Sequence, residues 1–557
     1  MTDAEQKPNL DHIVNVSEYL RSMARTQPYL KAVICPAHRD PTGRIAYTHL
    51  TFRQLDRESD CLAHGLTQAG IKPGTRTILM VKPSLEFFVL VFALFKAGIV
   101  PVVVDPGMGI GRMLSCLKES RAQALIGIPP AHVLRTIYSK YFKSVQTWVT
   151  VGHRWFWGGL TLDRLRVLPW EPFNTAMTKK DDIAAILFTT GSTGPAKGVV
   201  YTHGVFDAQV RHIKSHFGIE PGEIDLPTFP LFALFDPALG MTAVIPEMDP
   251  TRPASVNPDR IVEAILNHGV TNMFASPALL NRVGRYGEHK GIKLPSLKRV
   301  VSAGAPVAAA NIAQFATMLE QDAEIHTPYG ATEAVPILSI GSNEILSETR
   351  QLSDQGYGYC VGRPIDDIDV RIIQITDAPI LHWSDDLLLP SGEIGEIVVK
   401  GDLVTRRYFQ RPEADAVAKI EDEESFWHRM GDLGWQDKKG RIWFCGRKSH
   451  RVITKSATLF TIPCEAMFNM HADVFRSALV GIGPRPRQTP VICIELEKGV
   501  PVLTKSKIKK DLLDLAETNP LTQKIQHILF HKSFPVDIRH NSKIFREKLA
   551  VWAEKKI

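Results

Sequence analysis

The chain has 557 residues, more than one compact core ordinarily holds, so two or more domains are expected. Its apolar fraction of 44% and charged fraction of 22% are typical of a soluble globular protein. The net charge is +7, and residues 447–557 carry 20 Lys or Arg against 10 Asp or Glu. These basic residues are dispersed and match no nucleic-acid motif, so an anionic small molecule or surface is favoured over nucleic acid as their partner.

The N-terminal segment is polar and lacks the basic-then-apolar order of a signal peptide. The most apolar stretch runs from Phe87 to Gly107, but Lys96, Gly98 and Pro101 interrupt it before it reaches the about 20 apolar residues of a membrane span. It therefore predicts a buried helix, a glycine stop and a buried strand, with no transmembrane segment. The seven cysteines form no CxxC pair, which favours free thiols in a reducing, cytoplasmic setting.

Helices and strands then alternate along the chain. Residues 260–270 predict a helix that ends at Gly269, and residues 271–277 predict a strand. A strand that opens into a glycine loop follows at 297–306, and another helix at 309–320. Such alternation predicts an α/β fold with mostly parallel sheets, whose ligands bind at the carboxyl ends of the strands.

The pattern changes from about Leu352, where short alternating strands predict a small β subdomain. After residue 447 comes a compact α+β segment that carries most of the excess positive charge. We predict a large N-terminal domain, residues 1–447, with layered α/β sheets and this β subdomain. A small, mobile C-terminal domain would comprise residues 448–557. The division is inferred from the change in pattern and charge.

A strand at Ala184–Phe188 leads into the sequence TTGSTGPAKG. Its glycines allow backbone N–H groups to approach an anion, its hydroxyls add donors, and Lys197 supplies a positive charge. The glycine spacing and the glycine after Lys197 differ from a Walker P-loop. Because apolar segments hold both ends, the pattern favours a phosphate-binding loop over a flexible surface loop. The predicted phosphate-binding residues are Thr189, Thr190, Gly191, Ser192, Thr193, Gly194 and Lys197.

This loop resembles the phosphate loop of the acyl-adenylate-forming superfamily, which includes acyl-CoA synthetases, peptide-synthetase adenylation domains and luciferases. Four further segments resemble motifs of the same superfamily in the same order: SAGAP (302–306), TPYGATEA (327–334), GDLGWQDKKGRIWFCGR (431–447) and IRHNSKIFREKL (538–549). The resemblance implies an enzyme with ATP and Mg²⁺ as cofactors. It implies nucleotide-binding roles for Gly304, Ala305, Pro306, Tyr329, Gly330, Asp432 and Arg447.

The resemblance also implies the catalytic roles. Lys543 would bridge the substrate carboxylate and the α-phosphate, where two anions must meet. Glu333 would hold Mg²⁺ through its oxygens, and the Thr332 hydroxyl would lie at the phosphates. Lys543, Glu333 and Thr332 are therefore the expected catalytic residues. Taken without the resemblance, Lys543 would be interpreted as a solvated surface lysine.

Two departures from the superfamily pattern bear on the acceptor. Most members pass the acyl group to a thiol after the C-terminal domain rotates about a hinge residue, commonly Asp. Here the expected acidic pair is Ser449–His450, and no glycine lies between Gly446 and Gly481 to line a pantetheine tunnel. These departures argue against ordinary CoA ligation, although a hinge can use other residues.

The second departure lies in FPLFALFDPALG (229–240), where Ala233 replaces the histidine of a P-x-F-H pattern. This apolar segment fits either one wall of an acyl pocket or a buried core segment. The first interpretation gives a predicted substrate pocket of Phe232, Ala233, Phe235, Gly330 and Ala331.

Over nearly its whole length the chain is similar to the β-lactone-forming branch of the superfamily, which acts in bacterial long-chain olefin biosynthesis. That similarity implies adenylation of a long-chain 2-alkyl-3-hydroxy acid, then attack by its own 3-hydroxyl to close a β-lactone and expel AMP. It also implies a cytoplasmic assembly with other olefin-biosynthesis enzymes. The alternatives are a long-chain acyl-CoA or acyl-AMP ligase, and a catalytically idle protein of the same fold. No residue is assigned as the base for the 3-hydroxyl.

Overall fold

The computed structural model describes residues 14–189, 196–229, 232–536 and 543–557. The predictions for Thr190, Gly191, Ser192, Thr193 and Gly194 therefore fall outside the described residues.

The helices of the described residues are α1 Glu18–Thr26, α2 Phe52–Gln68, α3 Leu85–Lys96, α4 Ile110–Glu119, α5 Pro129–Ile137, α6 Leu162–Leu165, α7 His203–Phe217, α8 Asp236–Leu239, α9 Pro258–His268, α10 Pro277–Lys290, α11 Ala309–Ala316, α12 Ser342–Glu344, α13 Arg350–Asp354, α14 Pro412–Ala418, α15 Thr461–Asn469, α16 Lys505–Thr518 and α17 Arg546–Glu554.

The strands are β1 Lys31–Arg39, β2 Ile45–Thr51, β3 Arg76–Met80, β4 Val100–Val104, β5 Ala124–Gly127, β6 Thr147–Thr150, β7 Leu160–Thr161, β8 Ile183–Thr189, β9 Lys197–Thr202, β10 Ile224–Pro227, β11 Thr242–Val244, β12 Asn272–Ala275, β13 Arg299–Ser302, β14 Glu324–His326, β15 Tyr329–Ala331, β16 Ala334–Ser339, β17 Tyr359–Pro364, β18 Asp369–Ile373, β19 Gly395–Lys400, β20 Lys419–Asp422, β21 Ser425–Gln436, β22 Ile442–Arg447, β23 Val452–Ile453, β24 Thr458–Leu459, β25 Val474–Ile482, β26 Thr489–Leu496 and β27 His527–Phe530.

Two mostly parallel sheets form the centre of the molecule. The first has the strand order β7-β6-β5-β3-β4-β8-β9 and the second β14-β13-β12-β10-β11-β1-β2. Only the edge pairs β8–β9 and β1–β2 are antiparallel. The α/β fold class predicted from the alternating pattern is therefore confirmed.

Helix α3 shows why the sheets pack together. Ten of its twelve residues are buried, so the helix is apolar on every side and must be covered all round. It packs in one hydrophobic cluster with Val33 of the second sheet and Leu79 of the first. The Ser84 hydroxyl caps its N-terminus, and Gly98 ends the turn after it with φ +64°. The predicted glycine stop and the strand that follows, β4, are both present.

Lys96, which interrupts the apolar stretch of the sequence, does not lie at the surface. Lys96 is fully buried, and its Nζ donates to Asp56 Oδ1 at 2.6 Å and to Asp60 Oδ1 at 2.7 Å. Lys96 therefore connects the buried helix α3 to α2 through an ion pair. In the described residues, no helix has the length and apolar character needed to cross a membrane.

The later elements form smaller sheets. An antiparallel sheet with the order β15-β16-β17-β22-β21-β19-β18, extended by β20 on β21, occupies the region of short strands predicted from about residue 352. Beyond it, β25-β26-β27 form a three-stranded sheet; α15 and α17 contact the sheet, and α16 shares a hydrophobic cluster with α15 and the sheet. The domain division at residues 447 and 448 stays a prediction.

Candidate active site

A cavity of about 580 Å³ opens where the parallel strands end. Asp105, Thr228, Ser276 and Ala303 line it, and each is the residue directly after the carboxyl end of β4, β10, β12 or β13. Parallel sheets place their ligand sites at this edge because the loops after the strands converge there. The cavity therefore lies where the alternating sequence pattern predicted a ligand site.

The ends of the glycine-rich loop meet at this cavity. Thr189 pairs with Lys197 across the antiparallel strands β8 and β9, and Lys197 lines the cavity. Lys197 Nζ lies 4.5 Å from the centre of the Tyr408 ring. The strand pair thus fixes both ends of the loop and places its lysine in the cavity.

Thr332 and Glu333 line the same cavity. The Thr332 carbonyl accepts a hydrogen bond from the Tyr201 hydroxyl at 2.5 Å, and the Glu333 carbonyl accepts one from Thr405 N at 2.8 Å. The Tyr408 hydroxyl donates to Glu333 Oε1 at 2.6 Å. Backbone and side chain of Glu333 are therefore both fixed, which pre-organises its carboxylate.

Tyr408 and Lys419 were missed by the sequence interpretation. Tyr408 touches both Glu333 and Lys197, and its N–H donates to Asp415 Oδ1 at 2.8 Å. Burial lowers the pKa of Lys419 to about 7 against the opposing charges of Glu333 and Asp415. Its Nζ donates to the Thr405 carbonyl, which belongs to the residue that holds the Glu333 backbone. Neither residue lies in a recognised motif, so the sequence did not indicate that they support Glu333.

Asp432 is buried beside Tyr329 and Arg447. The Tyr329 hydroxyl donates to Asp432 Oδ2 at 2.5 Å, and Arg447 Nε lies 3.0 Å from Oδ1. Burial raises the pKa of Asp432, and the positive charges of Arg447 and Lys543 oppose that rise. Oδ1 is buried and accepts no hydrogen bond from the described residues, so it retains an acceptor position; Asp432 itself does not line the cavity, but Gly431 and Arg447 beside it do. This suits a donor such as a sugar hydroxyl.

Lys543 reaches this cavity from the other end of the chain. It lines the cavity with Lys197, Glu333 and Arg447. The bridge between Val536 and Ile544 and the hydrogen bond from Phe545 N to the Pro535 carbonyl anchor the backbone next to it. The tertiary structure thus brings Lys543 together with three of the other predicted residues.

Of the remaining predicted residues, most line the cavity, one lies in the core and two lie in the loop after β13. Gly304, Gly330, Ala331, Phe232 and Phe235 line the cavity. Ala233 is instead fully buried in the hydrophobic core that contains α3. Residues 232–234 form a single 3₁₀ turn, in which positions i and i+3 share a side. The turn therefore directs Phe232 and Phe235 to the cavity and Ala233 away from it. Ala305 and Pro306 follow Gly304 in the loop after β13.

The segment predicted as a hinge, around Ser449, also borders the cavity. Lys448 and Ser449 line it, and Lys448 Nζ lies 2.9 Å from Glu396 Oε1 of β19. Burial lowers the pKa of His450 to about 3, so its imidazole is neutral at physiological pH. This segment therefore presents an ion-paired lysine and a neutral, partly buried imidazole.

A second cavity of about 80 Å³, which we call the side chamber, adjoins the main one. Asp225, Asp236 and Asn272 form its polar side. Asn272 Nδ2 donates to Asp225 Oδ1, and Arg299 Nη1 donates to Asn272 Oδ1 at 3.2 Å. Burial raises the pKa of Asp225 to about 7, and burial together with the Asp225 charge raises the pKa of Asp236 well above its usual value. The pair therefore retains a proton at neutral pH.

This pair makes stability depend on pH. Between about pH 4, where an unfolded aspartate titrates, and about pH 7, the folded state keeps protons that the unfolded state has lost. The free energy of unfolding then falls as the pH rises. Asp236→Asn removes one of the two acids. We expect its melting temperature to fall less from pH 5 to pH 8 than the melting temperature of the wild type does. Thermal unfolding at both values, with the exposed Asp322→Asn as control, tests this, and parallel losses in all three proteins would contradict it.

The sequence profile described as AMP-binding enzyme matches residues 21–409, which is more than half of the chain. The chain therefore belongs to the family of AMP-binding enzymes.

Two curated relatives are similar over nearly the full length. The olefin beta-lactone synthetase of Xanthomonas campestris pv. campestris is 46% identical over 548 residues, covering 97% of this chain and 98% of the relative. The protein of the same name from Stenotrophomonas maltophilia is 47% identical over 547 residues, with the same coverage. Among solved structures, the amide bond synthetase McbA from Marinactinospora thermotolerans superposes with a TM-score of 0.78 at 22% identity, covering 97% of this chain and 99% of that one. This last likeness shows the fold alone.

Proposed function

We propose that the chain is a β-lactone synthetase that adenylates a long-chain 2-alkyl-3-hydroxy acid with ATP and then cyclises it. The observation that supports the proposal is that one cavity has an apolar end and a cationic end. Phe232, Phe235 and residues of α3 such as Val91 provide an apolar end, and Lys197, Lys543 and Arg447 provide a cationic end. A molecule with an alkyl part and an anionic reacting group fits such a site. The relatives that are 46% and 47% identical carry the name of this activity.

In the first step the acid's carboxylate oxygen forms a bond to the α-phosphorus, and the bond to pyrophosphate breaks. Lys543 would hold positive charge at the carboxylate and α-phosphate, where both reactants are anionic. Lys197, with the glycine-rich loop, would hold the phosphates that leave. Asp432 would accept hydrogen bonds from the ribose hydroxyls through Oδ1, and Arg447 would keep that carboxylate ionised.

Glu333 would hold Mg²⁺. The described residues contain no group of three or more His, Cys, Asp or Glu that makes a ready metal site, so a cation here takes most of its oxygens from phosphates and water. One fixed carboxylate suits Mg²⁺, which is commonly held by one or two carboxylates together with substrate phosphates. When bound, the ion neutralises phosphate charge, and Tyr408 keeps the Glu333 carboxylate in place.

In the second step the 3-hydroxyl oxygen bonds to the activated carbonyl carbon, the bond from that carbon to AMP breaks, and the hydroxyl proton is released. The nucleophile is three bonds from the carbonyl carbon in the same molecule, so it closes a four-membered ring and needs no second binding site. The alternative, transfer to CoA or another thiol, needs access past the hinge. Lys448 is ion-paired to Glu396 there, and no glycine opens the segment between Gly446 and Gly481. We therefore favour cyclisation over thioester formation.

We also propose that the protein acts in the cytoplasm together with other enzymes of olefin biosynthesis. Its free cysteines suit a reducing compartment. An insoluble β-lactone benefits from direct transfer to the next enzyme. Co-purification of the tagged protein with enzymes encoded nearby would test this association.

The reaction itself is tested by product analysis. We expect purified protein, ATP, Mg²⁺ and a 2-alkyl-3-hydroxy acid to give a β-lactone, AMP and pyrophosphate without CoA. NMR and mass spectrometry identify the organic product. The same acid lacking its 3-hydroxyl is the matched control and should form an adenylate but no lactone. A thioester that forms only when CoA is present would replace the proposal by the ligase alternative.

A further inference from the structure

The side chamber shares a wall with the apolar end of the main cavity. Half of its lining residues also line the main cavity, among them Phe232, Phe235 and Phe274. Phe232 stacks on Phe274 with ring centres 4.2 Å apart, and both rings belong to this shared wall. The main cavity extends separately toward α3, where Val91 lines it. Two apolar spaces therefore diverge from one region of the site.

The inner surface of the side chamber suits an alkyl group. Phe217, Leu239, Met241 and Val301 line it without reaching the main cavity. Its polar side is the Asp225–Asp236 pair, which retains a proton, so that no more than one negative charge lies there. Asn272 donates a hydrogen bond to that charge. An alkyl chain entering the chamber thus meets aromatic and aliphatic walls, with Asp225 already bonded to Asn272 and one buried oxygen of Asp236, Oδ2, accepting no hydrogen bond from the described residues.

We propose that the side chamber binds the first carbons of one alkyl branch of the substrate, while the other branch follows the main cavity along α3. This inference rests on the proposed function, since a 2-alkyl-3-hydroxy acid carries two alkyl branches on adjacent carbons next to the carboxylate. One tunnel accepts one branch, so a branched acid needs a second apolar space close to the reacting group. The side chamber therefore selects branched acids and limits the length of one branch.

Two matched substitutions test the side chamber and the main cavity independently. Val301→Phe fills the side chamber from a residue that lines only this chamber, and Val91→Phe fills the main cavity from a residue that lines only that cavity. The substrates are two series of synthetic acids, one with the C2 branch lengthened and one with the chain beyond C3 lengthened. The readout is kcat/KM for pyrophosphate release.

In one of the two series, we expect Val301→Phe to lower kcat/KM for the long acids about tenfold relative to the short acids. We expect Val91→Phe to have the same effect in the other series. Val301→Ala, which enlarges the chamber, should shift the preference in the opposite direction to Val301→Phe. This second variant keeps the test decisive if the larger side chain impairs folding.

The inference is overturned if both phenylalanine variants discriminate within the same series, or if neither discriminates and Val301→Ala leaves the length preference unchanged. Its failure is distinguishable from failure of the proposed function. If the wild type releases no pyrophosphate with any branched acid, the proposed function fails. If it does so and the variants show no crossed preference, only the side chamber assignment fails.

Discussion

Replacing Lys543 with alanine will lower acid-dependent pyrophosphate release by about 10²–10³-fold, the loss expected when a group that stabilises charge in the transition state is removed. Lys543 lines the cavity with Lys197, Glu333 and Arg447. It is the residue that we place between the carboxylate and the α-phosphate. The loss should appear mainly in kcat, because the contacts that we propose between the nucleotide and Asp432 and the phosphate loop do not involve Lys543.

The matched control is Lys555→Ala, which removes an exposed lysine from the same C-terminal segment. It should keep wild-type rates. Lys543→Arg retains the charge with a different shape and should recover part of the activity. If Lys543→Ala released pyrophosphate as fast as Lys555→Ala, the catalytic role of Lys543 would be wrong, and the idle-protein alternative would stand if the wild type were equally inactive.

Glu333→Gln should lower the same rate by about 100-fold or more, since a carboxylate ligand of a charge-neutralising cation contributes several kcal/mol in such sites. The substitution keeps the size of the side chain and its acceptor for the Tyr408 hydroxyl. Only the negative charge is lost. We therefore also expect ATP binding, measured by calorimetry, to need a higher Mg²⁺ concentration in the variant than in the wild type.

Two further variants show whether the effect belongs to this position. Glu320→Gln changes an exposed carboxylate and should leave both readouts unaltered. Tyr408→Phe removes the hydrogen bond to Glu333 but keeps the ring near Lys197, so a loss of about tenfold is expected. An unchanged Mg²⁺ requirement in Glu333→Gln would show that Glu333 does not hold the cation.

Much of the fold could be predicted because local signals agreed. An unbroken apolar run predicted the buried helix α3, and its hydrophobicity on every side requires cover from both sheets. Gly269, in the left-handed conformation, ends α9 at the predicted position. The prediction failed locally at Ala233, where the segment is apolar throughout and sequence alone does not say which side faces a cavity. A single 3₁₀ turn decided that question.

The sequence by itself determined the motifs and therefore the candidate residues, since Lys197, Glu333, Asp432 and Lys543 each lie in a motif with fixed local spacing; their catalytic and binding roles stay predictions. Only the tertiary structure decided what supports them. Tyr408 holds a carboxylate 75 residues away, and Asp225 meets Asp236 in a chamber that the sequence did not indicate. Contacts of this kind depend on how strands and loops are arranged in space. They produce no periodicity in the sequence, because the two partners become neighbours only in the folded chain and have no fixed separation along it.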